Sequence, residues 1–301
     1  MITREQHQSE IGSNPTANFP VTPGEGNLIV AMTMSRSGET SGNTSISGSG
    51  WTKVVEEDVE IADLNSRRHM SVWYKIAGAS EPTAIQVSGD TLRLTIQEYS
   101  LDVDGSFVLH DHSVNDNGST EDETSISTGS TTPSTGPVLK IGILGTRRKN
   151  HSAPWITSWT ENLGNATNND SSANGAFMST AFDGDDDIAG AKESTASIAG
   201  SNTGNTGHIA AMLVFDLDIE TFNVTGVTKD NEGNVLGECQ LYLFKDELGS
   251  PRLIDETTSD ETTGEYTLEA FDQDEDYFVV AFKDGEPDVF DVSPRTIQPQ
   301  E

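Results

Sequence analysis

Basic residues, cysteine and long apolar runs are all scarce in this chain, and each scarcity excludes something. Against 49 aspartates and glutamates stand only 17 lysines and arginines, leaving a formal charge of −32 over 301 residues. Such a surface offers no electrostatic footprint to a phosphate backbone, so no nucleic acid is expected as a partner. Anionic membrane surfaces would repel it for the same reason. The single cysteine, Cys239, permits no intrachain disulfide and no thiolate cluster for a metal. No stretch approaches the ~20 apolar residues of a membrane helix, so no membrane insertion is expected. The segment from Met1 to Pro15 is polar and lacks the apolar core of a secretory signal, which points to synthesis in the cytoplasm. Sustained helical periodicity with caps is missing too.

What is present is the acid surplus and a long series of strand-like runs. At −32 the chain repels itself, and a compact fold depends on screening. Molar salt cuts the Debye length to roughly 3 Å and removes most of that cost, so the composition suits very salty water. The 33% of hydrophobic residues can fill only a thin core spread over sheets. Strands are expected at 27–33, 51–59, 70–77, 83–87, 92–100, 107–110, 138–146, 156–162, 175–182, 194–198 and 209–216. Connections rich in Gly, Ser, Asn and Thr separate them, as at 37–50, 116–137 and 200–207. About ten short strands without helix predict an all-β fold, a jelly-roll-like double-sheeted sandwich over 1–218. A second domain is expected over 219–301, with strands at 221–228, 239–244, 253–258, 264–270, 277–283 and 289–292. Asn231-Glu-Gly-Asn234 reads as a hairpin turn between its first two strands.

Two stretches resemble known families. Gly26-Asn-Leu-Ile-Val-Ala31, Ser49-Gly-Trp-Thr52, Trp73-Tyr-Lys-Ile-Ala-Gly-Ala-Ser-Glu-Pro82 and Ile96-Gln-Glu-Tyr99 resemble a β-sandwich domain of structural proteins of tailed viruses. Trp51 and Trp73 fit as apolar anchors, and Glu81-Pro82 forces an extended turn. Gln97-Glu98-Tyr99-Ser100 departs from that pattern, which often has glycine after the aromatic. The second stretch comprises Val224-Thr-Gly-Val227, Asp230-Asn-Glu-Gly233, Thr258-Ser-Asp-Glu-Thr-Thr-Gly-Glu-Tyr-Thr-Leu268 and Tyr277-Phe-Val-Val-Ala281. It is similar to the carboxypeptidase regulatory-like (transthyretin-like) sandwich, which implies an Ig-like accessory domain without catalytic residues. With the salt-adapted surface, the two resemblances imply a virion protein of a haloarchaeal tailed virus. It would be a capsid turret or decoration, or a tail fibre or baseplate part, assembled in the host cytoplasm and helping host attachment. A homo-oligomer, trimer or pentamer, is then expected. Its other partners would be further virion proteins and a host cell-surface glycoprotein. The alternative is a haloarchaeal cell-surface adhesin or carbohydrate-binding module.

No catalytic set converges in the sequence, and no enzyme is expected. There is no Gly-x-Ser-x-Gly elbow, and Cys239 falls on an expected core strand as an apolar filler. His110-Asp-His112 could place two imidazoles on one strand face for a metal, but no third ligand has a fixed spacing to them. His151 and His208 read as isolated loop residues. Asp183, Asp185 and Asp187 offer clustered oxygens to a cation, though a solvated acidic surface is the reading favoured in so acidic a chain. No organic cofactor is implied; Na, K, Mg or Ca from the medium would serve as structural cations. Arg147, Arg148 and Lys149 form the one basic triplet, either a subunit interface or a solvated strand end. Trp155 and Trp159 would contact glycans if exposed and fill the core if buried.

Overall fold

The computed structural model describes residues 2–35, 44–61, 66–89, 92–116, 125–132, 137–146, 160–162, 177–185, 195–197, 208–245, 251–271, 276–283 and 289–292. Every helix or strand among them is a strand, and the fold is all-β. The chain forms two compact units: Met1–Asp102 with Ser106–Asp218, and Ile219–Glu301 with Val103–Gly105.

The first unit holds two five-stranded antiparallel sheets. The first contains β1 (Ile2–Gly12), β3 (Leu28–Ser35), β5 (Thr52–Ile61), β6 (Ser66–Ile76) and β8 (Leu92–Leu101), in the order β1-β8-β3-β6-β5. The second contains β9 (Gly105–Asp116), β11 (Val138–Thr146), β12 (Thr160–Asn162), β13 (Phe177–Asp185) and β15 (His208–Ile219), in the order β12-β13-β11-β15-β9. They pack face to face as a β-sandwich. Tyr74 meets Phe215 edge-on at 5.3 Å between ring centroids, and Tyr99 meets Phe182 at 5.2 Å. Between them the Gln97 amide donates to Thr180 Oγ1 at 2.7 Å.

A third layer covers the outer face of the first sheet. Here β2 (Thr16–Asn18), β4 (Ser45–Ile46) and β7 (Ala84–Ser88) pair in the order β2-β7-β4. Ala17, Phe19, Ile85 and Val87 pack on Ile29, Trp73 and Ile96 from above. This explains why Leu28–Ser35 is an unbroken apolar run: β3 is buried at every position because both faces are covered. Each such Leu or Ile contributes roughly 1.5–3 kcal/mol by burial. Beside the second sheet, β10 (Ser125–Ser127) pairs with β14 (Thr195–Ser197).

The expected strand at 138–146 is found with those bounds. Three strands fall in segments expected to be loops or polar ends. β4 and β10 lie inside expected connections, and β1 inside the polar N-terminus. β9 also runs on past His110 to Asp116.

The second unit contains β16 (Phe222–Val227) paired with β19 (Glu265–Ala270). Its other sheet has the order β18-β17-β20-β21, from β17 (Gln240–Lys245), β18 (Arg252–Thr258), β20 (Tyr277–Lys283) and β21 (Val289–Val292). Val224, Cys239, Leu241, Leu243, Leu268 and Tyr277 fill the core between them.

Candidate functional site

The densest polar cluster lies on the outer face of the first sheet. β6 places His69 and Ser71 on that face two residues apart, and β5 brings Asp58 opposite His69. Asp58 Oδ1 lies 2.9 Å from His69 Nδ1, and His69 Nε2 lies 2.7 Å from Ser71 Oγ. An acid, an imidazole and a hydroxyl thus stand in the order of a nucleophilic relay. Access decides against that use. Ser71 is fully buried, and the Thr44 hydroxyl sits 2.7 Å from its Oγ. Ser35 Oγ accepts the His69 backbone N–H at 2.9 Å. The hydroxyl that would attack is enclosed by partners and has no room for a carbonyl beside it. The cluster satisfies buried polar groups beneath the third layer.

The residues carrying the tailed-virus resemblance build a second cluster. Lys75 Nζ donates to Glu81 Oε1 at 2.8 Å and to the Ser49 carbonyl at 3.1 Å, and lies 5.6 Å from the Trp51 ring centroid. The Gly78 N–H donates to the other Glu81 oxygen at 3.3 Å. Trp73 is buried in the core, and Lys53 Nζ lies 5.4 Å from its ring centroid. The conspicuous Lys, Glu and two Trp of the motif interlock the end of β6 with the chain before β5. Glu98, in the segment that departs from the family pattern, is equally committed. It accepts from the Gly24 N–H at 2.8 Å, from Asn27 Nδ2 at 2.6 Å and from Gln6 Nε2. That carboxylate ties β1 and the approach to β3 onto β8. Burial pushes the neighbouring Tyr99 phenol far up, and its OH donates to Gln97 at 2.6 Å.

In the second unit the glycine signature has steric causes. A Cβ on Gly237 would overlap the Glu261 carbonyl. Gly264, at φ +65°, would bring a Cβ to 2.9 Å from the Leu236 and Thr228 carbonyl oxygens. The Tyr266 ring lies across Gly226. Asp230 accepts the Asn234 side-chain amide on Oδ2 at 2.9 Å and the Asn234 and Glu232 N–H groups on Oδ1, and Asp260 Oδ1 accepts the N–H groups of Thr263 and Thr262. These bonds hold both carboxyls below their ordinary 3.8. Cys239 is buried in this core. On the sheet's other face a shallow groove is lined by Gln240, Tyr242, Glu256 and Thr258.

Few of the expected site residues lie among those described. Arg147, Arg148, Lys149, Trp155, Trp159, Asp187 and His151 lie outside the described residues. Asp183 and Asp185 are on β13, where their backbones pair with Lys140 and Val138. His110 Nδ1 faces Asp216 Oδ2 at 2.9 Å while His112 is exposed, and Asp111 caps Thr132 through its N–H and hydroxyl. His208 is buried at the start of β15 rather than in a loop. Among the described residues no three His, Cys, Asp or Glu side chains are grouped to hold a metal. The Asp58–His69–Ser71 relay went unseen in the sequence because Asp58 joins the other two only through the register of β5 on β6. Compared with known proteins, the chain matches no protein family, no curated protein and no solved structure.

Proposed function

We propose that this chain is a non-enzymatic structural protein of a haloarchaeal tailed virus, a capsid-surface or tail component that contributes to assembly and host attachment. The observation that carries the reading is the Trp51–Lys75–Glu81 interlock. The residues that make the chain resemble tail proteins are spent on joining layers, as a scaffold requires. The charge of −32 supports assembly in molar salt. Two finer fold assignments go with the proposal. One is a jelly-roll-like first unit, resting on the way its strands alternate between a five-stranded sheet and the small sheet beside it. The other is a carboxypeptidase regulatory-like, Ig-like second unit, resting on its sheets and its glycine signature.

A second reading, a surface adhesin or carbohydrate-binding module, is favoured by the groove of Gln240, Tyr242, Glu256 and Thr258. A tyrosine ring beside amide, carboxylate and hydroxyl groups matches the mixed surface of a sugar. Sedimentation with intact haloarchaeal cells in their growth salt tests attachment directly. Co-sedimentation that is lost after enzymatic deglycosylation of the cells is the expected result. Equal recovery with and without cells would contradict attachment. Binding abolished by Tyr242→Ala on isolated envelope glycans, from a protein that stays monomeric, would favour the second reading.

A further inference from the structure

The two sheets of the first unit have the same strand order. With the second read from its other end, they are β1-β8-β3-β6-β5 and β9-β15-β11-β13-β12. Numbered along the chain within its own sheet, each is first, fifth, second, fourth, third. The small strands obey the same rule, since β2 pairs β7 in the first half as β10 pairs β14 in the second. Within each half the chain passes back and forth between its five-stranded sheet and its small one, so each half is a complete motif in itself.

The registers match as well. One row across the first sheet is Thr52–Tyr74–Val30–Gln97, and its counterpart is Thr160–Phe182–Ile141–Leu213. Another is Met70–Met34–Arg93, against Met178–Gly145–Ile209. These rows make Tyr74 equivalent to Phe182, and Tyr99 to Phe215. The two aromatic contacts between the sheets are then one contact made twice: Tyr74 on Phe215, and Phe182 on Tyr99. A residue touching the partner's j while its own j touches the partner's i is the mark of a two-fold axis. Equivalent residues Met34 and Gly145 lie on that axis and face each other. A Cβ on Gly145 would sit 2.7 Å from Met34 Sδ, so one large and one absent side chain share the crossing.

The sequence carries the same echo. Ile76-Ala-Gly-Ala-Ser-Glu-Pro-Thr-Ala84 returns as Ile188-Ala-Gly-Ala-Lys-Glu-Ser-Thr-Ala196, identical at seven of nine positions. Trp51-Thr52 returns as Trp159-Thr160, and Met70-Ser71 as Met178-Ser179. Tyr99-Ser-Leu-Asp-Val103 returns as Phe215-Asp-Leu-Asp-Ile219.

We infer that the first unit is an internal duplication, two tandem copies of one sheet motif over 2–101 and 106–217. The inner face of that motif is a self-complementary surface whose fitting partner is a second copy of itself. The chain carries both copies and closes that surface internally. Its contacts with other subunits must therefore use the outer layers, the sheet edges or the second unit.

The two-fold predicts where an existing network can be rebuilt. Tyr99–Gln97–Thr180 is a hydrogen-bonded chain across the interface. Its image, given by the same rows, is Phe215–Leu213–Val72, three fully buried residues without polar groups. In the full chain at high salt, Phe215→Tyr alone and Leu213→Gln alone each bury a polar group without its partner. Each should lower the unfolding midpoint by about 5 °C or more. The triple variant Phe215→Tyr/Leu213→Gln/Val72→Thr completes the image and should return to within about 3 °C of the parent. A triple variant no more stable than its worse single overturns the inference. The axis gives an independent reading: Met34→Gly and Gly145→Met should each destabilise, and the exchange of both should recover most of the loss. Additive losses would count against the two-fold.

Discussion

Glu81 shows how this protein handles buried charge. Its carboxylate and Lys75 are both nearly enclosed, with side-chain exposures of 6% and 12%. Removing one partner leaves the other buried and unpaired, which costs about 3–5 kcal/mol. Lys75→Met is therefore expected to destabilise the first unit by that order in denaturant titrations, and Lys75→Met/Glu81→Leu by much less. Salt screens this enclosed pair little, so the difference should persist in molar salt. For Ser71, enclosure by His69 and Thr44 predicts a structural role. Ser71→Ala should lose about 1–3 kcal/mol of stability by stranding its buried partners. Generic ester substrates should show no turnover with either protein. Asp230 and Asp260 act on pH dependence with one sign. Their folded pKa values lie below 3.8, so the unfolded chain binds more protons near that pH. Their stabilisation is present above the ordinary carboxylate range and is lost as pH falls through the lower folded values. NMR titration should find both carboxyls ionising below 3.8.

Among elements, the hairpins of the second unit rest on glycines that nothing else can replace. Gly264→Ala meets both a left-handed backbone and two carbonyl oxygens, and about 1–3 kcal/mol of strain is expected in thermal melts. Gly12, with open space at its Cβ, should accept alanine with little change. Most strands were legible because they are apolar or alternate cleanly, as at Val138–Thr146. β1 was not. Ile-Thr-Arg-Glu-Gln-His-Gln-Ser-Glu-Ile-Gly is a half-exposed edge strand, held by backbone pairing at ten positions and by Gln6 on Glu98 rather than by apolar side chains. β4 and β10 are too short to show a period. The motif residues Trp51, Trp73 and Glu81 were legible as anchors. Their union with Lys75 was not, because that contact depends on how the chain turns at Gly78. The duplication hid for a related reason. The spacing between matching residues lengthens from Tyr74/Phe182 to Tyr99/Phe215 as connections grow, so the sequence has no fixed repeat period.

At the scale of the whole molecule, the charge sets the terms. Over 221–301 there are 20 acidic and 5 basic residues, a balance of −15, which leaves −17 of the total on the first 220. Both units therefore repel themselves, the second more densely than the first, and neither is a neutral anchor for the other. Their cores are thin sheets, stabilised by burial that a large repulsion can offset. High salt relieves that repulsion and strengthens apolar burial together. An assembly of such subunits should form where the charges are screened and come apart where they are not. The direct test is the mass of the purified protein by light scattering in ~3 M salt, where screening is nearly complete, and again after dilution. The scaffold account predicts a trimer or pentamer at high salt that dissociates or unfolds on dilution. A monomer at both salt concentrations would contradict it.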